Sequence, residues 1–331
     1  MQLLNFFQHI FGATIPVLCY HQVRPNSFMT PQRFGQHLDL LQHLGFQTIS
    51  LDKLFTVIAN KSQLETPSVV ITFDDCTVDN WIYAVPELMR RNMVGVFFAI
   101  TDFVQPGPMR LRADETKNPP CVPEFSKIMR QAIKGNMHGF MHQTEIQSLV
   151  HDLGMEVYSH SAAHQACFIS TSSTGTLATS THWSHHALTG QKHPQTPTYP
   201  VGSAYAHSGF GLDWQGQTLK LAAREERLAF CLRDFSRSKQ TLESLLDKPC
   251  PYLCLPWGEH DRLTLDAARQ AGYTGSLTLQ RTLVGPGINP FQVGRLAVKD
   301  KKSNTWLQVR TLLMSTKVSA RLMSLGRTHK I

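Results

Sequence analysis

The sequence predicts an α/β fold, and within that class a (β/α) barrel. Short apolar runs alternate with longer amphipathic ones along the chain. Several of the short runs are apolar on both faces, as buried parallel strands are. Roughly eight such strand–helix units occur, the number a barrel needs. Strands are expected at Ile15–Tyr20, Phe46–Ile49, Val69–Phe73, Val94–Ile100, Glu156–Ser159, Tyr252–Leu255, Gly275–Leu279 and Gln292–Leu296. Helices are expected between them. Pro31–Leu44 carries Phe34, Leu38, Leu41 and Leu44 at helical spacing, and Val78–Asn92, Gln143–Leu153, Lys239–Leu246 and Arg262–Ala271 read alike.

The first residues, up to Tyr20, are apolar but lack a basic leader and a small-residue cleavage site. They read as a short helix feeding the first strand, and a cytoplasmic location is expected. Residues 165–212 break the rhythm. They hold one charged side chain, Lys192, and are rich in Ser, Thr, Gly, Pro and His. A structureless loop that long is unusual in a compact domain, so the segment reads as a mobile insertion or a lid.

The 331 residues are 42% hydrophobic and 17% charged, which excludes a disordered polyelectrolyte. No apolar run reaches the length of a membrane span. The net charge is +8, but residues 299–331 hold eight basic side chains against one acid. That tail carries +7 and leaves +1 for the first 298 residues, which argues against a nucleic-acid-coating surface. The seven cysteines are scattered and odd in number, so no disulfide framework is expected.

Three constellations carry chemistry. The strand Val69–Phe73 runs into Asp74, Asp75 and Cys76. In a barrel, strand C-termini form the active face, and neighbouring extended residues point opposite ways, so two acids there can take different roles. Asp also suits turns and helix caps. A phosphatase-type pair would need acids two apart, where Cys76 stands. Next, His160 and His164 follow the strand ending at Ser159. Two histidines four apart on a helical turn can share a metal, and one carboxylate with two imidazoles is a facial metal set. Two surface histidines are the plainer reading in a chain with sixteen. Third, the strand Tyr252–Leu255 enters Pro256-Trp257-Gly258. An aromatic on a rigid turn can wall a sugar pocket, or lie buried under the turn.

Together these motifs resemble the polysaccharide deacetylases, the NodB-homology domain of carbohydrate esterase family 4. Asp74 and Asp75 match its TFDD pair, His160 and His164 its HSxxH pair, and Pro256, Trp257 and Gly258 its Pro-aromatic-Gly turn. Tyr20-His21-Gln22-Val23 and Phe291–Arg295 resemble the opening and closing segments of the poly-N-acetylglucosamine deacetylase branch. The resemblance spans about residues 15–298, with a basic tail over 299–331. It implies a distorted (β/α) barrel of the NodB-homology type with a long polar insertion and a C-terminal basic helix. It also implies metal-dependent removal of N-acetyl groups from a sugar or glycan. Asp75, His160 and His164 would bind a divalent metal, usually Zn²⁺, with Co²⁺, Fe²⁺ and Ni²⁺ also suited. Asp74 would be the general base, and the metal would polarise the acetyl carbonyl and acidify its water.

The chain departs from the pattern at three places. Cys76 replaces the glycine after the acids, Cys254 replaces the arginine that tethers the base, and the late Leu-x-His is missing, with Thr278 near its place. His21 is the candidate substitute general acid and His207 a weaker one. Tyr20, Arg110, Pro256, Trp257 and Arg295 are candidate substrate contacts, Arg110 and Arg295 for sugar hydroxyls or a phosphate. A catalytically inactive barrel that binds glycan or a partner protein, and a deacylase of another amide, are the alternative readings. In the tail, Trp306, Val309, Leu313 and Val318 form an apolar row opposite Arg310, Lys317 and Arg321. That row either covers the barrel or lies on anionic lipid near a lipid-linked substrate. No nucleic-acid partner is expected.

Overall fold

The computed structural model describes residues 12–190, 193–212, 219–221, 223–298 and 303–324, with residues 4 and 8 ahead of them. Five strands come first: β1 (Val17–Tyr20), β2 (Gln47–Thr48), β3 (Ser68–Phe73), β4 (Val96–Ala99) and β5 (Glu156–Ser159). Helices α1 (Pro31–His43), α2 (Leu51–Asn60), α3 (Val85–Met89), α4 (Phe125–Ala132) and α5 (Gln143–His151) lie between them. Local chemistry sets these boundaries. Thr30 caps α1 by accepting from the Arg33 N–H with Pro31 at the first helical position, and Ser50 caps α2 through the Lys53 N–H. β3, sequence SVVITF, is buried along its whole length, as its β-branched content suits.

The polar insertion, read as a mobile segment or a lid, has its own order. β6 (Ala166–Phe168), β7 (Gly175–Thr176), α6 (Trp183–Leu188), β8 (Pro197–Thr198), β9 (Val201–Ser203), β10 (Phe210–Leu212) and β11 (Leu219–Leu221) make two small antiparallel sheets. The larger runs β11-β10-β6-β9 and the smaller is the pair β7-β8. Backbone pairing and side-chain hydroxyls compensate for the lack of apolar residues. After it come α7 (Arg224–Leu246), β12 (Tyr252–Cys254), α8 (Arg262–Gln270), β13 (Gly275–Leu277), β14 (Leu296–Ala297), α9 (Asn304–Leu313) and α10 (Lys317–Ser324).

The main sheet is parallel, in the order β13-β12-β5-β4-β3-β1-β14, with β2 beside the start of β3. Its two edges meet through one segment. Val293 bridges Leu277 on one side, while Leu296 and Ala297 pair with Leu18 and Cys19 on the other. This is the distorted barrel that the sequence predicts. Rings fill the interior, with Phe73 stacked on Phe97 at 4.8 Å and Tyr20 on Phe73 at 5.7 Å.

Some expected elements are displaced. The helix expected over Val78–Asn92 starts as a π-turn, Asn80–Ala84, before α3, a feature common beside functional sites. Lys239–Leu246 is only the end of the 23-residue α7. The last strand begins as a 3₁₀ turn, Pro290–Gln292. In the tail, α9 buries Leu307 and Thr311. Trp306 packs partly against the core, but Val309, Leu313 and Val318 are exposed, so the expected apolar row is not the packing face. Lys299, Lys301, Lys302, Arg327 and Lys330 lie outside the described residues. No described helix is long and apolar enough to cross a membrane. All seven cysteines are free thiols.

Candidate active site

β3 delivers Asp74 to the sheet's C-terminal edge, where its N–H donates to the Tyr20 carbonyl at 3.1 Å. The chain then turns through left-handed backbone at Asp75 (φ 73°) and Cys76 (φ 48°). The position where the resemblance implies glycine does use positive φ here, and a buried cysteine adopts it at a cost of about 1–3 kcal/mol. Of the eight described non-glycine residues with positive φ, five sit on three loops around this point: Asp75, Cys76, Ser161, His164 and Trp257. Strain of that kind persists where surrounding contacts over-determine the backbone.

β5 delivers the histidines. The His160 N–H donates to the Ala99 carbonyl at 2.8 Å. Its Nδ1 lies 2.9 Å from the Cys254 carbonyl, which can only accept, so Nδ1 carries the hydrogen and Nε2 presents its lone pair. That Nε2 is 3.6 Å from Asp75 Oδ1, and His164 Nε2 is 3.8 Å from the same oxygen. The three ligand atoms lie within 4.8 Å of one another, and all three residues are buried. Donors on one tetrahedral zinc stand roughly 3.3 Å apart, so a small contraction would close this set on an ion. Burial pushes the His160 imidazole down to about 4 and His164 well below its ordinary value, so both rings are neutral, as ligands must be. Burial also pushes the Asp75 carboxyl up to about 7. Carboxylate, imidazole and imidazole fit a divalent cation.

Asp74 faces the other way and meets Arg295. The guanidinium donates to Oδ1 at 2.6 Å and Oδ2 at 2.9 Å, and also to Thr72 Oγ1 at 3.2 Å and the Thr278 carbonyl at 3.3 Å. Burial opposes ionisation of Asp74, but Arg295 more than offsets it and holds the carboxyl well below the usual range. The Cys19 and Cys254 thiols each donate to Asp74 at 3.5 Å. Two expectations are thereby corrected. Asp74 does not lack a tether, because an arginine from the barrel seam supplies it where Cys254 cannot. Arg295 does not orient sugar hydroxyls or a phosphate, because its side chain is 0% exposed and its donors are engaged.

Two other expected contacts also fall inside the protein. Tyr20 is buried with its hydroxyl 3.1 Å from His37 Nδ1. Arg110 is bound by Glu145 at 2.7 Å and by the carbonyls of His138 and Phe140. It braces the loop after β4 and has no free fork for a ligand. Pro256 is buried. Trp257 is half-buried, its ring 6.0 Å from His164 and 5.5 Å from His182 of the insertion. Gly258 must be glycine, since a Cβ there would stand 2.4 Å from that of Leu279.

His21 stands at the mouth, 51% exposed, with Nε2 3.9 Å from Asp74 Oδ2. His160 Nε2 lies 4.0 Å from that same oxygen. Asn80 Nδ2 holds the His21 carbonyl at 2.7 Å, and Asp79 accepts from the Val23 N–H at 2.6 Å. These two polar residues in the apolar run after the acid pair went unread in the sequence, and their polarity there was the available signal. Thr278 is buried against the seam, its N–H on the Val293 carbonyl. His207 pairs with Glu259 at 3.1 Å.

Comparison with known proteins agrees with this fold. Residues 61–209 match the family model for polysaccharide deacetylase. The putative polysaccharide deacetylase YxkH of Bacillus subtilis (strain 168) is 31% identical over 90 residues, which make up 27% of this chain and 32% of that protein. Among solved structures, a de-N-acetylase from Aggregatibacter actinomycetemcomitans superposes with a TM-score of 0.61 at 17% identity, over 90% of this chain and 99% of that one. IcaB from Ammonifex degensii gives 0.57 at 20% identity, over 90% and 98%. The BpsB deacetylase domain from Bordetella bronchiseptica gives 0.59 at 17%, over 86% and 96%. At such identities these structures speak for the fold alone, and the matched model and the curated relative mark a likeness over part of the chain. Over residues 61–209 the chain is similar to the polysaccharide deacetylases, and its fold is the distorted barrel of the similar solved structures.

Proposed function

We propose that the chain is a metal-dependent N-deacetylase that hydrolyses acetamido groups of an N-acetylated sugar or polysaccharide. The reading rests on one observation: Asp75, His160 and His164 converge on a shared point while Asp74, one residue away, is held apart as a charged carboxylate. A divalent cation, zinc by preference, would be held by those three residues and would supply Lewis acidity toward the acetyl carbonyl and the attacking water.

The chain's own groups do the rest. Asp74 stays ionised through Arg295 and keeps Oδ2 toward His21 and His160, where it can accept the proton of water. His21, exposed at the mouth, donates a proton to the departing amine. Water adds across the amide, the C–N bond breaks, acetate forms and the sugar keeps a free amine.

Acetate release from N-acetylglucosamine oligomers should require the metal, vanish with chelator and return with added Zn²⁺ or Co²⁺. No acetate under any metal condition would overturn the proposal in favour of an inactive barrel. In the same assay, His21→Ala should reduce turnover by about 10²–10⁴-fold with bound metal unchanged. Retained activity, or lost metal, would remove His21 from the acid role.

A further inference from the structure

The loop that carries both histidines has no regular structure, yet every N–H from residue 161 to residue 165 is satisfied by a side chain. Ser161 donates to Ser159 Oγ at 3.1 Å. Ala162 and Ala163 donate to the two oxygens of Asp234 at 2.8 and 3.0 Å. His164 donates to Ser161 Oγ at 3.0 Å, and Gln165 to the Tyr205 hydroxyl at 3.3 Å. Tyr205 then donates to Ser161 Oγ at 3.1 Å. The loop carbonyls are taken as well, Ser161 by the Thr101 N–H and Ala162 by that of Asp102.

Two of these partners come from distant elements. Asp234 sits in the middle of α7. Tyr205 belongs to the insertion and is fully buried, stacked on Phe235 of α7 at 5.2 Å. Its carbonyl is held by Arg227 at 3.2 Å and by Thr264 Oγ1 at 2.7 Å. Within the loop, Ser161 (φ 68°) and His164 (φ 48°) occupy left-handed backbone that neither residue favours. His164 Nδ1 is buried with no hydrogen-bond partner, so no hydrogen bond orients that ring on the side away from Asp75. Its aim depends on the backbone beneath it.

We propose that Tyr205 and Asp234 are positioning residues for the metal ligands, a two-sided clamp that holds His160 and His164 convergent. The insertion thus contributes to the centre from behind, through Tyr205. This inference rests on the metal-site reading above. Groups that orient metal ligands typically account for about 10–100-fold in affinity.

Tyr205→Phe keeps the ring packing and removes one hydroxyl. Asp234→Asn keeps the shape but turns one acceptor into a donor facing an N–H. Zinc dissociation constants are measured by chelator competition, alongside thermal unfolding of the metal-free proteins and the visible spectrum with Co²⁺. Tyr205→Phe should weaken zinc by about 10-fold and Asp234→Asn by about 10–100-fold. Both should alter the Co²⁺ spectrum, and Tyr205→Phe should leave metal-free unfolding nearly unchanged. Wild-type affinity and spectrum in a folded Tyr205→Phe would overturn the clamp. Absence of zinc binding in the wild type would overturn the metal site itself.

Discussion

Arg295→Met should lower stability by about 3–5 kcal/mol, the usual penalty for removing one partner of a buried ion pair. Asp74 would keep a charge, or take up a proton, inside a nearly closed pocket with two weak thiol donors and two imidazoles about 4 Å away. Denaturant unfolding of the metal-free protein reads the loss. The double variant Arg295→Met/Asp74→Leu should regain most of it, because apolar side chains of similar volume often replace a buried pair without cost. A single-variant cost below about 1 kcal/mol would show that the pair does not hold this site together. The sign of the pH dependence follows from the depressed Asp74 carboxyl. The pair contributes fully above the unfolded aspartate value of about 4 and is lost as pH falls through the lower folded value. Arg295→Met should lack that acid-side loss.

Asp74→Asn should reduce kcat by about 10²–10⁴-fold while bound metal stays at the wild-type level. The amide fills the same space but cannot take a proton from water, and it leaves Arg295 without a counter-charge. Asp75→Asn is the control with the opposite signature, since it weakens the metal set directly. Metal analysis beside kcat separates the two adjacent acids. Equal metal loss in both variants would mean that Asp74 is a ligand and not the base.

Much of the molecule was legible in the sequence because its signals are local. Val69–Phe73 is apolar but for Thr72 and mostly β-branched, a run that suits a strand buried on both faces. Asp74 and His160 directly follow strands, with Asp75 and His164 in the same loops, which placed all four on one face before any distance was known. The unread parts depend on separation along the chain. Arg295 and Asp74 are 221 positions apart, and nothing near either names the other. Tyr205 sits in a stretch whose composition reads as loop, and its hydroxyl gains meaning only once Ser161 and Gln165 are beside it. The first part of α7 was missed because Arg224, Glu225, Glu226 and Arg227 show no apolar stripe, although Arg227 and Asp234 turn out to be buried.

The seam segment has a consequence for biosynthesis. A chain growing from its N-terminus presents Asp74 long before residue 295 is made. Through that interval the carboxylate has no guanidinium to meet, and the first strand lacks its β14 neighbour. A nascent or prematurely terminated chain therefore lacks the charge pairing that keeps Asp74 ionised in its buried pocket. The Asp74–Arg295 pair and completion of the sheet arrive in the same event, so fragments released early should be short-lived and, under the proposed function, inactive.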